Sequence, residues 1–295
     1  MLLYPADAND LTAGFKRVRV RTGDRDCERR PNRIMADNED MADRDPQTFD
    51  GRSILVTGAS SGLGAAAVRR FAAGGGRVYA ASRDQDKLAE VAGSCDSLPG
   101  EVRYGALDVA SPAECRAAVD AAVEAFGRLD VLVNNAGRHD FRITTDVSED
   151  QWARDIAVNL GGAFFLSQAA IPHLLGTGGN IVNVASVAGV MGEAYSAAYT
   201  AAKHGIVGLT RALAIEYLDT PLRVNCVCPG GMDTPQAHTI EVPEGADWDL
   251  IMRVSAKRGF MSADDVAAVV AFLASDDAKA VHGSIQLVDS GHTAG

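Results

Sequence analysis

Tyr199 and Lys203 lie four residues apart in the run Tyr195-Ser-Ala-Ala-Tyr199-Thr-Ala-Ala-Lys203. On an α-helix, residues i and i+4 share a face, so the phenol and the ammonium point the same way. A phenol with a pKa of about 10 is a poor base at neutral pH, and a cation held beside it favours the phenolate. The pair is therefore a candidate proton-transfer device. The same spacing occurs on ordinary surface helices, so its meaning depends on what the rest of the chain places around it.

The elements that would position the pair are legible in the hydrophobic pattern. Short apolar runs at 53–57, 77–81, 102–107, 129–133, 180–184, 223–227 and 284–288 read as strands. Helical periodicity occupies 63–73, 84–92, 111–126, 148–175, 197–217 and 262–273. Ser111 with Glu114 reads as a capping box, and Ser262 with Asp265 as a cap followed by an acid. Strands alternating with helices predict an α/β fold. It would be a single-domain, doubly wound, seven-stranded parallel Rossmann-type sheet with helices on both faces. Ligands of such sheets bind beyond the carboxyl ends of the strands, so the residues after each strand are where chemistry is sought.

After the first strand comes Gly58-Ala-Ser60-Ser61-Gly62-Leu63-Gly64. Glycines let backbone approach a pyrophosphate, and the helix that follows offers unpaired N–H groups and partial positive charge. A plain glycine-rich turn would look similar, but its place between strand and helix points to a dinucleotide. Ser82 and Arg83 follow the second strand, where NAD-specific sites usually carry an acid. A guanidinium suits a 2′-phosphate, so NADP(H) is favoured; NAD(H) stays possible because Asp84 could reach a ribose. Asp108-Val109 follow the third strand, Asn135-Ala136-Gly137 the fourth, Ser186 the fifth and Pro229-Gly230 the sixth.

Composition bounds the rest. The 295 residues are 47% hydrophobic and 23% charged, with 30 glycines, enough for one large α/β domain. No apolar run long enough to span a bilayer occurs, and the N-terminal residues lack a secretory pattern, so a cytoplasmic location is expected. Five cysteines without a Cys-x-x-Cys fit a reducing compartment, with Cys226 and Cys228 sharing one strand face as small buried residues. A net charge of −11 argues against nucleic acid as a partner. Residues 1–34 differ, with eight basic side chains against five acidic, and show little sustained periodicity. Residues 1–48 therefore read as a disordered extension, or as sequence ahead of a later start at Met35 or Met41.

Thr57-x-x-x-x-Gly62-x-Gly64, Asn134-Asn-Ala-Gly137, Ser186, Tyr199-x-x-x-Lys203 and Pro229-Gly230, in this order and each at a strand end or on the next helix, resemble the short-chain dehydrogenase/reductase family in its classical form. The resemblance covers about residues 50–295. It implies a catalytic tetrad. Tyr199 would exchange the substrate proton. Lys203 would lower the phenol pKa and hold the nicotinamide ribose. Ser186 would bind the substrate oxygen, and Asn159 would anchor a relay water and help position Lys203. It also implies that Asp108 and Val109 flank the adenine, that Asn135 lies along the cofactor, and that Val227, Pro229, Gly230 and Thr234 approach the nicotinamide. Hydride would pass between nicotinamide and a carbonyl or carbinol carbon with no metal required.

The substrate side would be lined by His139, Val187, Met191, Tyr195, Met232 and Trp248, with Phe141, Val190 and His238 also nearby. His139 reads as a shaping residue and not as a catalytic one. The aperiodic 230–258 segment reads as a lid on the 49–295 domain, its acids 241, 244, 247 and 249 facing water. The substrate would be an uncharged small-molecule ketone, aldehyde or secondary alcohol. A non-catalytic dinucleotide-binding sensor or scaffold is the rival reading, although such a protein would be expected to lose Tyr199, Lys203 or Ser186. The family resemblance further implies a homo-oligomer, tetramer or dimer.

Overall fold

The computed structural model describes residues 48–253 and 258–294. The expectations for residues 1–47, including Cys27, and for lid residues 254–257 lie outside the described residues. Seven strands form one sheet: β1 (Ser53–Thr57), β2 (Arg77–Ser82), β3 (Glu101–Ala106), β4 (Val131–Asn134), β5 (Asn180–Val184), β6 (Arg223–Pro229) and β7 (Ile285–Val288). Their order is β3-β2-β1-β4-β5-β6-β7, and every pairing is parallel. The predicted seven-stranded doubly wound architecture is the observed one.

Nine helices are assigned among the described residues: α1 (Gly62–Ala73), α2 (Gln85–Gly93), α3 (Pro112–Phe126), α4 (Glu149–Ile156), α5 (Gly162–Thr177), α6 (Ala197–Glu216), α7 (Pro235–Thr239), α8 (Trp248–Met252) and α9 (Ala263–Ala274). Period-two alternation sorts β1 between two layers. Ile54 and Val56 face a core with Val68 and Phe71 of α1 and Val266 and Val270 of α9. Leu55 faces a core with Val119 of α3 and Leu166 and Leu174 of α5. Central strands buried on both faces are why β1, β4 and β5 read as continuous apolar runs. As expected, Cys226 and Cys228 share a face, both buried against Ile206 of α6, with sulfurs 4.0 Å apart.

The domain is closed at its start by Phe49, 1% exposed, whose ring meets Phe71 edge-on at 4.8 Å. β1 has β2 on one side and β4 on the other, so the chain reverses its direction of travel across the sheet at this pair. That reversal opens a crevice beyond Thr57 and Asn134.

Two local expectations change. Ser111 does cap α3, accepting from the Glu114 N–H at 3.3 Å, but the Glu114 carboxylate turns away and accepts from the Asp108 N–H at 2.8 Å. The reciprocal box is at α4 instead, between Ser148 and Gln151. At α9 the expected Ser262 cap is present, accepting from the Asp264 N–H, with Asp265 in the first turn. Finally, the helix expected over 148–175 is α4 and α5 joined by a π-helical turn at Ala157–Gly161.

Candidate active site

Gly58 follows β1 with φ +64°, a left-handed conformation that disfavours side chains. A Cβ at Gly64 would lie 2.2 Å from the Gly58 carbonyl oxygen, so any larger residue would push the turn and α1 apart. Ser61 takes the N-cap position of α1 without a side-chain cap, and no acid occupies the first turn. The N–H groups there remain available to an anion, and the helix end favours one.

The Asn-Asn-Ala-Gly segment is stitched to this turn. Thr57 Oγ1 accepts from the backbone N–H groups of Asn135 and Ala136, both at 3.1 Å, and donates to the Val133 carbonyl at 3.3 Å. The Asn135 amide donates to the carbonyls of Thr57 at 2.9 Å and Gly58 at 3.3 Å. Behind it, Asn134 donates to Asn183 of β5 at 2.9 Å and to Ser167 of α5 at 3.1 Å. These bonds hold the ends of β1, β4 and β5 in one plane.

Two cavities of about 190 and 200 Å³ share Gly58, Ser61, Ala136, Gly137 and Arg138, and so form one trough across the crevice. At one end lie Ser60, Ser82, Arg83, Asp108 and Val109. At the other lie Ser186, Tyr199, Lys203, Pro229, Gly230 and Thr234, with Gly62, Leu63, Asn135 and Met232 between or beside them. Every expected cofactor residue except Gly64 and Val227 lines the trough; Gly64 shapes its floor, and Val227 is instead fully buried in the core between the sheet and α9. The donors and glycines present fit an elongated dinucleotide.

At the Arg83 end, Ser82 donates to Ser60 at 2.9 Å, joining the ends of β1 and β2. Asp84 is engaged elsewhere: it caps α2 through the Lys87 N–H at 3.1 Å and pairs with the Lys87 ammonium at 2.9 Å. Burial pushes the Asp108 carboxyl up, but the Ala110 N–H and the Arg154 guanidinium, at 3.0 and 2.9 Å, outweigh it and hold the pKa below the ordinary value. Arg154 and Arg138 were not singled out from sequence. Arg154 is the sixth residue of α4, with no strand end nearby in sequence, and Arg138 falls just past the Asn-Asn-Ala-Gly motif.

At the other end, Tyr199 and Lys203 project from the first two turns of α6, as their spacing predicts. Lys203 is 4% exposed; its nitrogen lies 5.5 Å from the Tyr199 ring centre and donates to the Val184 carbonyl at 2.9 Å. Burial lowers its pKa to about 8. Burial raises the Tyr199 pKa, a hydrogen bond with Ser186 lowers it, and the Glu193 charge raises it further. In this state the lysine bonds β5, and Ser186 is the group that eases ionisation of the phenol. Asn159 is buried in the π-helical turn, donating to the Asp155 carbonyl at 3.0 Å and accepting from the Arg138 N–H at 2.9 Å. The widened turn is what brings its amide to the trough wall: a Cβ at Gly137 would lie 3.0 Å from Asn159 Oδ1 and 3.4 Å from the Lys203 nitrogen.

The expected substrate residues divide. His139 stacks on Tyr199 with ring centres 4.3 Å apart, and Phe141 meets His139 edge-on at 4.7 Å. Met232 lines the trough, and Val187 is buried beside Ser186. Met191 is half-buried in the loop before α6. Tyr195 has φ +61°, and its hydroxyl accepts from the Asp247 N–H at 2.7 Å, tying that loop to the 230–258 segment. Trp248 is not brought to the trough: it begins α8 and is 57% exposed. Val190 is exposed, and His238 pairs with Asp233 at 2.6 Å on the open surface of α7. Glu241, Glu244, Asp247 and Asp249 are exposed to water, as expected. Among the described residues, no helix is long and apolar enough to cross a membrane.

The short chain dehydrogenase family model matches residues 52–244. The chain is 39% identical to the meso-2,3-butanediol dehydrogenase of Serratia marcescens over 247 residues, 83% of this chain and 96% of that one. It is 36% identical over 244 residues to the 3-oxoacyl-acyl-carrier-protein reductase of Thermotoga maritima, 82% of this chain and 98% of that one. A solved short chain dehydrogenase from Burkholderia cenocepacia in complex with NADP superposes with a TM-score of 0.75 at 34% identity, covering 83% of this chain and 98% of that one. The chain belongs to the short-chain dehydrogenase family. It is an NAD(P)-dependent oxidoreductase acting on CH–OH groups.

Proposed function

We propose that this enzyme reduces an uncharged ketone or aldehyde with NADPH, and oxidises the corresponding alcohol in reverse. The observation that carries the cofactor preference is the pairing of Arg83 at the trough mouth with an Asp84 already bound to Lys87 and α2. A guanidinium there favours a 2′-phosphate, and the acid that would favour a bare ribose is occupied. Gly58, Ser60, Ser61, Gly62, Leu63 and Gly64 would cradle the pyrophosphate, with Ser82 and Arg83 at the adenosine ribose and Asp108 and Val109 at the adenine. Asn135, Ala136 and Gly137 would run beneath the cofactor, and Pro229, Gly230 and Thr234 would meet the nicotinamide. When bound, the cofactor supplies the hydride donor or acceptor.

The chain's own residues handle the oxygen. Ser186 donates a hydrogen bond to the substrate oxygen and polarises it. Tyr199 delivers its proton to that oxygen as negative charge develops, and takes a proton back in the alcohol direction. Lys203 places a buried cation behind the phenol, and Asn159 holds the wall against which it sits. One relative is named for a diol and another for a 3-oxoacyl group, which supports a secondary alcohol or ketone as the common reacting group.

The catalytic unit is residues 49–295, with 230–258 as its lid. It acts in the cytoplasm as a homotetramer or dimer. Nucleotide oxidation monitored at the nicotinamide absorbance with a panel of ketones and aldehydes tests the reading. Wild type turns over at least one carbonyl, and Tyr199→Phe loses at least about a hundredfold in kcat while still binding NADPH. Full activity in Tyr199→Phe would remove the phenol from the mechanism. Cofactor binding without turnover by wild type would favour a sensor.

A further inference from the structure

One polar cluster beside Tyr199 has no part in the mechanism above. Ser196 occupies the N-cap position of α6, where a serine ordinarily accepts from the helix backbone, yet its side chain makes no cap bond. Its hydroxyl instead lies 2.7 Å from His139 Nε2 and hydrogen-bonds Glu193. Glu193 Oε2 is 3.5 Å from the same His139 nitrogen. Both side chains are largely buried, 11% exposed for His139 and 14% for Glu193. The His139 ring stacks on the catalytic phenol, and the Glu193 charge reaches it. His139 also lines a cavity of about 250 Å³ that shares Gly137, Arg138 and Gln236 with the catalytic trough.

We propose that Glu193, Ser196 and His139 form a recognition centre that selects substrates carrying a hydroxyl on the carbon next to the reacting carbon, namely vicinal diols and α-hydroxy ketones. The chemistry of the three groups carries the argument. A carboxylate accepts only, a serine hydroxyl donates and accepts, and a neutral imidazole offers one of each. The Ser196 hydrogen goes to Glu193 and the His139 Nε2 hydrogen to Ser196, so a substrate hydroxyl would donate to the remaining lone pairs of Glu193. A methyl would leave that largely buried carboxylate without an added partner. Burial holds His139 neutral, with a pKa near 4, and raises Glu193 to about 7, so above neutral pH Glu193 is the accepting carboxylate beside an uncharged imidazole. The other charges acting on His139 are those of Asp140, Arg142 and Lys203.

This inference rests on the carbonyl/alcohol reading above, and its test separates the two. Oxidation of 2,3-butanediol and of 2-butanol is compared in wild type, Glu193→Gln and Glu193→Leu, with folding checked by thermal melting. Wild type is expected to favour the diol in kcat/KM by roughly 10- to 100-fold, the value of a hydrogen bond to a charged group. Glu193→Leu brings the ratio to within about threefold of one, and Glu193→Gln, which can still accept, retains part of it. A wild-type ratio near one, or a ratio that Glu193→Leu leaves unmoved, overturns the proposal, because a residue that only tuned Tyr199 would change both alcohols alike. If wild type oxidises neither alcohol while the carbonyl panel decides the reaction class, binding decides the inference. The diol must then raise the melting temperature of the NADP-saturated wild type more than 2-butanol does, and Glu193→Leu must abolish the difference; equal shifts in wild type overturn it.

Discussion

Thr57→Val tests whether the cofactor trough is held by one hydroxyl. Valine has nearly the same shape, and position 57 is fully buried, so packing is preserved and the change is chemical. The substitution removes the acceptor for the N–H groups of Asn135 and Ala136 and the donor to the Val133 carbonyl. The Asn135 N–H keeps a second partner, the Val133 carbonyl at 3.1 Å. The Ala136 N–H keeps none of its described bonds, at a half-buried position. One partly buried orphan donor and two weakened bonds together cost about 2 kcal/mol. For a domain of this size that is a fall of roughly 4 to 8 °C in melting temperature. Ala136 and Gly137 also form the shared wall of the trough, so NADPH affinity should fall about tenfold, measured by calorimetry. Thr57→Ser is the control. It keeps the hydroxyl and deletes a methyl, losing about 1 kcal/mol of stability while leaving NADPH binding as in wild type. Unchanged affinity in the valine variant, or equal weakening in both, would refute the argument that this hydroxyl ties the two strand ends.

Arg83→Ala should weaken NADPH about tenfold and leave NADH nearly as in wild type, read from the two dissociation constants. An equal loss for both would mean that Arg83 does not read the 2′-phosphate. Glu193→Gln should change how stability depends on pH. The Glu193 carboxyl, raised by burial from 4.5 to about 7, contributes stability that is present below pH 4.5 and lost as pH rises towards 7. His139, lowered by burial from 6.5 to about 4, contributes stability present above 6.5 and lost as pH falls towards 4, so the two slopes oppose. Glutamine removes only the first. Denaturant unfolding should therefore show the variant gaining on wild type by up to about 3 kcal/mol between pH 4.5 and 7, and a pH-independent difference would contradict a carboxyl that titrates near 7.

The sheet was readable because burial on both faces leaves a run such as Ser53–Thr57 little to carry but apolar side chains. The turn after it was readable because a positive φ at Gly58 and the contact of Gly64 with the Gly58 carbonyl admit little besides glycine. Capping was legible less well. A Ser-x-x-Glu pattern does not show that the Glu114 carboxylate will turn to the Asp108 N–H, since that competing donor arrives from the loop before the helix. Trp248 was misplaced for a related reason. Hydrophobicity in an aperiodic segment does not tell which way a five-residue helix will face.

By itself the sequence determined that Tyr199 and Lys203 share a helix face and that Ser186 and the glycine turn follow strands. Those are consequences of local periodicity and strand–helix alternation, which act over a few residues. Only the tertiary structure decided what the pair means. It buried the lysine against the Val184 carbonyl and the phenol against Ser186, set the Asn159 turn behind Gly137, and stacked His139 from a distant loop on Tyr199. It also gave Ser196 to Glu193 and His139 in place of the helix it begins. The physical reason is that desolvation and hydrogen-bond partnership depend on segments far apart in sequence, joined here by a sheet that reverses between β1 and β4.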